Sequence, residues 1–380
     1  MLGGRSTPVK HHEQLSGLDC RHELGKHLPI SWRRPGRALD GSLALTLMSV
    51  RDTNLFQERW MTTSERPDTA AELRDAIRSS DPRLSKFSPL RRILAHDDFN
   101  SGTHGWTELL GNYNGRGDLS TVDDHMRDFR PPQLSSCTFF DIGTHGAMSG
   151  TYALKLATRP YEGHTATAIR RLTMSGRGLL QLEAYFTFKA EATVDPSGSD
   201  QFGDVTWDGN LHPSEAQFGC FTVATDLCGD GGLRYHTVAR YLNTSLDNQL
   251  TRQWVYPVVP EPTPREHLEG KVKLGYAADF TAPNPDDWKP FGEPQELCYN
   301  EVPTKVNWHY LRWLIDTRER RSVELQVNDR LMDMSGLPVP PYAERYDSLE
   351  NLLNFYFSVR THSTVRNFLF LDSVLISTEW

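Results

Sequence analysis

From Leu180 to Lys189 every second residue is apolar. Leu180, Leu182, Ala184, Phe186 and Phe188 alternate with Gln181, Glu183, Tyr185, Thr187 and Lys189. A helix of such a sequence would scatter its apolar groups around the axis, whereas a strand puts them all on one side. The same short alternating runs recur through the chain, separated by Gly, Asn, Asp or Pro. Strands are predicted at Ile93–Phe99, Trp106–Leu110, Tyr152–Ala157, Thr165–Leu172, Leu180–Lys189, Phe218–Thr225, Leu233–Leu242 and Leu250–Tyr256. Further on they fall at His309–Asp316, Val323–Val327, Leu353–Arg360 and Asn367–Ile376. Runs of this kind, with one helical stretch among them, indicate an all-β, two-sheet antiparallel sandwich. Phe186, Phe188, Trp313, Phe355, Phe357 and Phe370 are its expected core.

The pattern begins near residue 92. Residues 1–91 read as an N-terminal arm and accessory region and 92–380 as the sandwich domain. Met1 to Gly41 is basic, His-rich and without periodicity. Leu43, Leu45 and Leu47 suggest a strand. Asp68 to Ser79 is the one helix expected, because Asp68 or Thr69 can cap it and Ala70, Leu73 and Ile77 share a face. Residues 257–305 form a long connection crowded with proline, which is expected to overhang one face as a rim.

Several strand signatures resemble those of a known fold. Asp97-Asp98-Phe99, followed by Gly105-Trp106, looks like the opening strand of concanavalin A-like jelly rolls, and Gly150 to Leu156 resembles their next strand. Trp308 to Asp316, then Val323 to Asp329, is similar to a hairpin of laminin-G-like and 3-keto-disaccharide-hydrolase-like domains. Leu371 to Ile376 resembles their closing strand. The resemblance covers roughly residues 92–380. It implies a jelly-roll sandwich with a concave face of the kind that commonly binds carbohydrate. Two catalytic signatures found on such folds are absent: the Glu-x-Asp-x-x-Glu of retaining glucanases, and the paired Gln-x-His and Tyr-x-Lys of alginate lyases.

Strand parity nominates a site. The polar parity of the central strand carries Gln181, Glu183 and Tyr185, that of 353–360 carries Asn354, Tyr356 and Arg360, and that of 233–242 carries His236 and Arg240. If the three strands share a sheet, these side chains line one groove. Planar polar groups can then bind sugar hydroxyls while aromatic rings cover apolar sugar faces. Glu183, His236 and Arg240 are the expected catalytic residues, with Glu183 as general acid. Gln181, Tyr185, Asn354, Tyr356 and Arg360 are the expected substrate-binding residues. Hydrolysis needs two carboxylates, whereas elimination needs a base and a group that neutralises an enolate. Solvated strand faces show the same alternation without any ligand.

No cofactor is required by this chemistry, although Asp98 and Asp372, on the first and last strands, could hold a structural calcium ion. A formal net charge of −8 over 380 residues argues against nucleic acid as a partner. No run approaches the ~18 apolar residues of a membrane span. The start lacks a signal-peptide pattern, and five dispersed cysteines suit a reducing compartment, so a cytoplasmic location is expected. Two functional classes stay open. One is a glycoside hydrolase or lyase acting on a small glycoside, and the other is a lectin-like, non-catalytic carbohydrate-binding module.

Overall fold

Alternation becomes strand in every one of the twelve predicted runs. The structure, a computed structural model, describes residues 70–108, 130–136, 146–191, 215–258, 288–300, 307–342, 344–345 and 350–380. The expectations for residues 1–69, and for most of the proline-rich connection, lie outside them. One compact unit runs from Pro67 to Trp380.

Among the described residues helix α1 (Ala70–Ser80) comes first, followed by sixteen strands. They are β1 (Arg92–Asp97), β2 (Trp106–Glu108), β3 (Gln133–Ser135), β4 (Ala153–Ala157), β5 (Thr165–Thr173), β6 (Leu179–Ala190), β7 (Cys220–Cys228) and β8 (Leu233–Thr244). Then come β9 (Leu250–Pro257), β10 (Trp288–Pro290), β11 (His309–Asp316), β12 (Arg321–Val327), β13 (Arg330–Asp333), β14 (Glu344–Arg345), β15 (Leu352–Arg360) and β16 (Asn367–Thr378). Sheet A has the order β13-β12-β11-β6-β16-β4-β3, with β1 also on β16. Sheet B has the order β10-β9-β8-β7-β15-β5-β2, with β14 on β8. All pairings among the described residues are antiparallel, and together the sheets form a two-sheet jelly-roll sandwich.

The core between the sheets follows parity. Leu180, Leu182, Ala184, Phe186 and Phe188 of β6 and Leu311, Trp313 and Ile315 of β11 face Phe221, Val223 and Leu227 of β7 and Phe355, Phe357 and Val359 of β15. Phe370 departs from expectation. On β16 the core parity belongs to Leu369, Leu371, Val374 and Ile376. Phe368 and Phe370 are buried on the outer side of sheet A instead, where Lys155 lies over Phe368 and Lys189 over Phe370. One residue of strand moves a ring to the opposite face.

The polar side of β6 is not solvated either. Gln181, Glu183, Thr187 and Lys189 are all buried. Residues 86–90, which the sequence places with the accessory region, lie over the Gln181–Tyr185 part of it. The Phe87 ring packs at 5.7 Å from Tyr185, the Tyr185 hydroxyl donates to the Lys86 carbonyl, and the Leu90 N–H donates to Ser377 Oγ.

Candidate functional site

Sheet membership decides which expected site residues meet. Glu183, Gln181 and Tyr185 lie on β6 in sheet A, whereas His236, Arg240, Asn354, Tyr356 and Arg360 lie on β8 and β15 in sheet B. The expected convergence of Glu183 with His236 and Arg240 therefore does not occur. Glu183 is fully buried and accepts three hydrogen bonds: from the Ser88 N–H at 2.7 Å, the Tyr310 hydroxyl at 2.6 Å and Gln181 Nε2 at 3.0 Å. Gln181 Nε2 also donates to the Ser88 carbonyl. Burial, then the charge of Glu183 and its hydrogen bond, raises the Tyr310 phenol above its ordinary pKa. This is a satisfied anchor for the covering segment.

The five residues in sheet B do share its outer face, and the register arranges that face in four rows. The first is Arg171–Asn354–Asp226–His236 and the second Ile169–Tyr356–Ala224–Val238. The third is Thr167–Ser358–Thr222–Arg240 and the fourth Thr165–Arg360–Cys220–Leu242. Adjacent rows are two residues apart along a strand, so the face extends about 20 Å from first to last. His236 and Arg240 stand roughly 13 Å apart along β8, too far to act on one bond without help from their side-chain length.

Each polar row is locally ordered. Arg234 grips Asp226 with Nε and Nη2 at 2.6 and 2.7 Å, and Asn354 Nδ2 donates to the same carboxylate at 3.2 Å. His236 Nδ1 lies 3.8 Å from Asp226 Oδ1. Burial pushes the Asp226 carboxyl up, but His236, Arg234 and Asn354 together favour the anion and hold it below its ordinary value. Asn354 Oδ1 is buried without a hydrogen-bond partner. In the third row Arg240 Nε donates to Thr222 Oγ1 at 3.0 Å, and its guanidinium lies 3.6 Å from the ring centre of Trp288, a stacked cation–π contact. The second row is apolar: Ile169, Ala224, Val238 and Tyr356 form one buried cluster with Trp288 against it. From the sequence, Asp226 is only a poorly placed second acid and Arg234 only a member of the polar parity of 233–242, and nothing singles out Trp288. Asp226 faces its partners only through the β7–β8 and β7–β15 registers, which no local pattern reveals.

Next to the first row is a cavity of about 130 Å³. Strand β9 pairs with β8 only at Arg240 and beyond, towards Thr244. The part of β8 around His236 and Val238 is left to border this space with Tyr256, Arg321, Met334 and Leu337.

The expected calcium position is held by protein groups. Asp372 lies where β16 shifts register against β6, between Leu371 and Val374, and where β16 passes from its β4 partner to β1. Its Oδ2 accepts from the Ser149 N–H, and burial raises its carboxyl above the ordinary value, against the opposing effects of Lys86 and Ser149. Asp98 Oδ1 accepts from the Asn100 N–H. The Lys86 ammonium, whose charge acts on both aspartates, donates to Ser149 Oγ at 2.9 Å and Ser373 Oγ at 2.6 Å. Calcium wants six to eight oxygens. Among the described residues no cluster of three His, Cys, Asp or Glu could hold a metal.

A single family model spans the sandwich, matching residues 74–380. The chain belongs to the family described as domain of unknown function (DUF6772). No curated protein matches it. Among solved structures, this DUF6772 chain is similar to a Bacteroides ovatus family 16 glycoside hydrolase from a mixed-linkage glucan locus. The identity is 8%, the coverage 75% of this chain and 100% of that one, and the TM-score 0.34. It is also similar to the carbohydrate recognition domain of Emp46p, with 9% identity, 72% and 97% coverage and a TM-score of 0.30. A third is winged bean acidic lectin, with 9% identity, 65% and 92% coverage and a TM-score of 0.27. Among the described residues no helix is long and apolar enough to cross a membrane.

Proposed function

We propose that this protein is a carbohydrate-binding β-sandwich whose saccharide site is the outer face of sheet B. One observation carries the reading: an apolar row containing Tyr356, with Trp288 packed against it, is flanked by rows of planar and hydroxylic polar groups. A pyranose presents the same alternation, with apolar ring faces bordered by hydroxyls. Trp288, the partly buried ring of this face, is assigned to a sugar ring face; it packs on the buried Tyr356 cluster and on Arg240, with Asn354, Ser358 and Thr222 buried beside them. Arg360, in the fourth row, marks the far end.

Hydrolysis by a carboxylate pair is the weaker chemistry here, since Asp226 is the single carboxylate in the four rows and is engaged by Arg234. A catalytic reading is favoured by one feature, His236, which borders the cavity and lies 3.8 Å from Asp226. There His236 would act as general base, oriented by Asp226, in an elimination.

The test is a panel of neutral and acidic oligosaccharides followed by thermal shift, with product formation monitored in the same samples. A saccharide of this face raises the melting temperature of the wild type, and Trp288→Ala weakens its binding by about tenfold or more. Turnover that His236→Gln cuts by roughly 10²-fold would add catalysis to binding. If no saccharide in the panel shifts the melting temperature and none is turned over, the proposal fails.

A further inference from the structure

The cavity beside the first two rows exists because of how the edge of β8 is covered. Strand β9 pairs with β8 from Thr244 as far as Arg240, and β14 pairs with it only at Leu233 and Arg234. Among the described residues no strand pairs with β8 on that side between Arg234 and Arg240. Residues 337–341 line the space there instead. Pro338, Pro340 and Pro341 have no N–H to donate to a strand edge, so this segment covers β8 without closing onto it. What remains is a cavity of about 130 Å³, walled by these prolines with Val238, Tyr256, Pro257, Met334, Leu337 and Val339. Its polar lining is His236, Thr237, Arg321 and Ser322. The last three are already engaged. Thr237 Oγ1 is 2.6 Å from Thr225 Oγ1, Arg321 Nη2 donates to Glu319 at 3.0 Å, and Ser322 Oγ accepts from Trp313 Nε1 at 3.2 Å. The cavity therefore offers a guest apolar contact more than hydrogen bonds.

We propose that this cavity holds the aglycone of a glycoside, a single aromatic ring, while the sugar lies against Trp288. The proposal rests on the saccharide reading of the sheet B face and names the class of saccharide. Cavity and face are continuous, because His236 and Val238 line the one and stand in the first and second rows of the other. Pro257, in the cavity wall, is the β9 residue paired with Trp288 of β10, and Trp288 packs against the cluster that contains Val238. The sugar contact and the cavity are thus about one strand spacing apart, ~5 Å, which is the order of separation of two rings joined through one bridging oxygen. Size selects the guest. An apolar cavity of ~150 Å³ takes one benzene molecule, and this one, at about 130 Å³, matches a phenyl group. A second sugar ring is disfavoured by its chemistry, since its hydroxyls would lose water against proline, leucine and valine walls without replacement bonds. Tyr256 and the proline rings suit the flat face of an aryl group. Val339 is 43% exposed, so the guest enters from solvent on that side.

The experiment is calorimetric titration of the full chain with matched phenyl and methyl glycosides of glucose, galactose, mannose and glucuronic acid, and with phenol as an aryl group without sugar. For a sugar that binds, the phenyl glycoside should bind about tenfold or more tighter than the methyl glycoside, and tighter than phenol. Val339→Trp, which puts a ring into the cavity from its exposed wall, should bring the phenyl and methyl affinities together. Because a variant can misfold, the wild type is also followed by NMR with labelled methionine methyl groups. The Met334 signal should move with the phenyl glycoside and stay in place with the methyl glycoside. Equal affinity within a phenyl and methyl pair, or a Met334 signal that ignores the phenyl group, overturns the aglycone assignment and leaves the saccharide face standing. Phenyl glycosides that bind no better than phenol overturn the saccharide reading and the aglycone with it. No binding by any of these glycosides overturns the aglycone assignment, and the oligosaccharide panel then decides the face by itself.

Discussion

Asp226 shows how much a single buried carboxylate depends on its neighbours. Arg234, Asn354 and His236 all favour its anion, and its folded pKa lies below the ordinary value of 3.8. Such a group adds stability that is fully present above the unfolded pKa and is lost as pH falls through the folded one. Thermal melts of the wild type should therefore drop at acid pH by more than those of Asp226→Asn. At neutral pH Asp226→Asn should be less stable by about 2 kcal/mol, because the half-buried Arg234 loses this counter-charge. Equal acid sensitivity in the two proteins would remove the pair from the stability of the fold. Glu183 behaves differently. It serves three donors, so Glu183→Ala should cost about 2 kcal/mol or more by urea denaturation and leave saccharide affinity unchanged. At the Asp98/Asp372 corner, EDTA should leave the melting temperature unchanged while Lys86→Ala lowers it. A chelator effect on the purified protein would restore calcium to this corner.

At the scale of elements, the cover over sheet A is the test case. Phe87 is buried between His96 and Tyr185, and Ser88 and Leu90 bond to side chains of β6 and β16. Phe87→Ala should cost roughly 3 kcal/mol and speed proteolytic cleavage near residues 84–91, measured by limited trypsinolysis. Cleavage at the wild-type rate would mean that the segment is held by something other than this ring. The element scale is also where sequence reading succeeded and stopped. Each run with enough alternating residues was legible, including β6, β8, β15 and β16, and the helix was placed within two residues. Strands β3, β10, β13 and β14 have two to four residues each, too few to show a period. Parity named the faces of β6, β8 and β15 correctly as faces. It could not say that β6 lies in one sheet and β8 and β15 in the other, because strand order is set by pairing between residues far apart in the chain. Hence parity puts Asn354, Tyr356, Arg360, His236 and Arg240 on one face, as the structure has them, but wrongly adds Glu183 to it and leaves Asp226 a poorly placed second acid.

At the scale of the molecule, β16 is decisive. Its twelve residues are all buried, and it lies inside sheet A between β6 on one side and β4 and β1 on the other. The strand nearest the end of the sequence is thus the keystone of a layer whose other members were made up to hundreds of residues earlier. A ribosome producing this chain would carry β6 and β4 with their facing edges unpaired until β16 emerged from the exit tunnel. Such open edges invite pairing with other chains. Nascent chains arrested before Asn367 should therefore be protease-sensitive and bind chaperones, and resistance should appear only once Thr378 has cleared the tunnel. Stable, monomeric chains ending at residue 366 would contradict this. Timing, as much as contact energy, governs whether a cell obtains this sandwich or an aggregate of its halves.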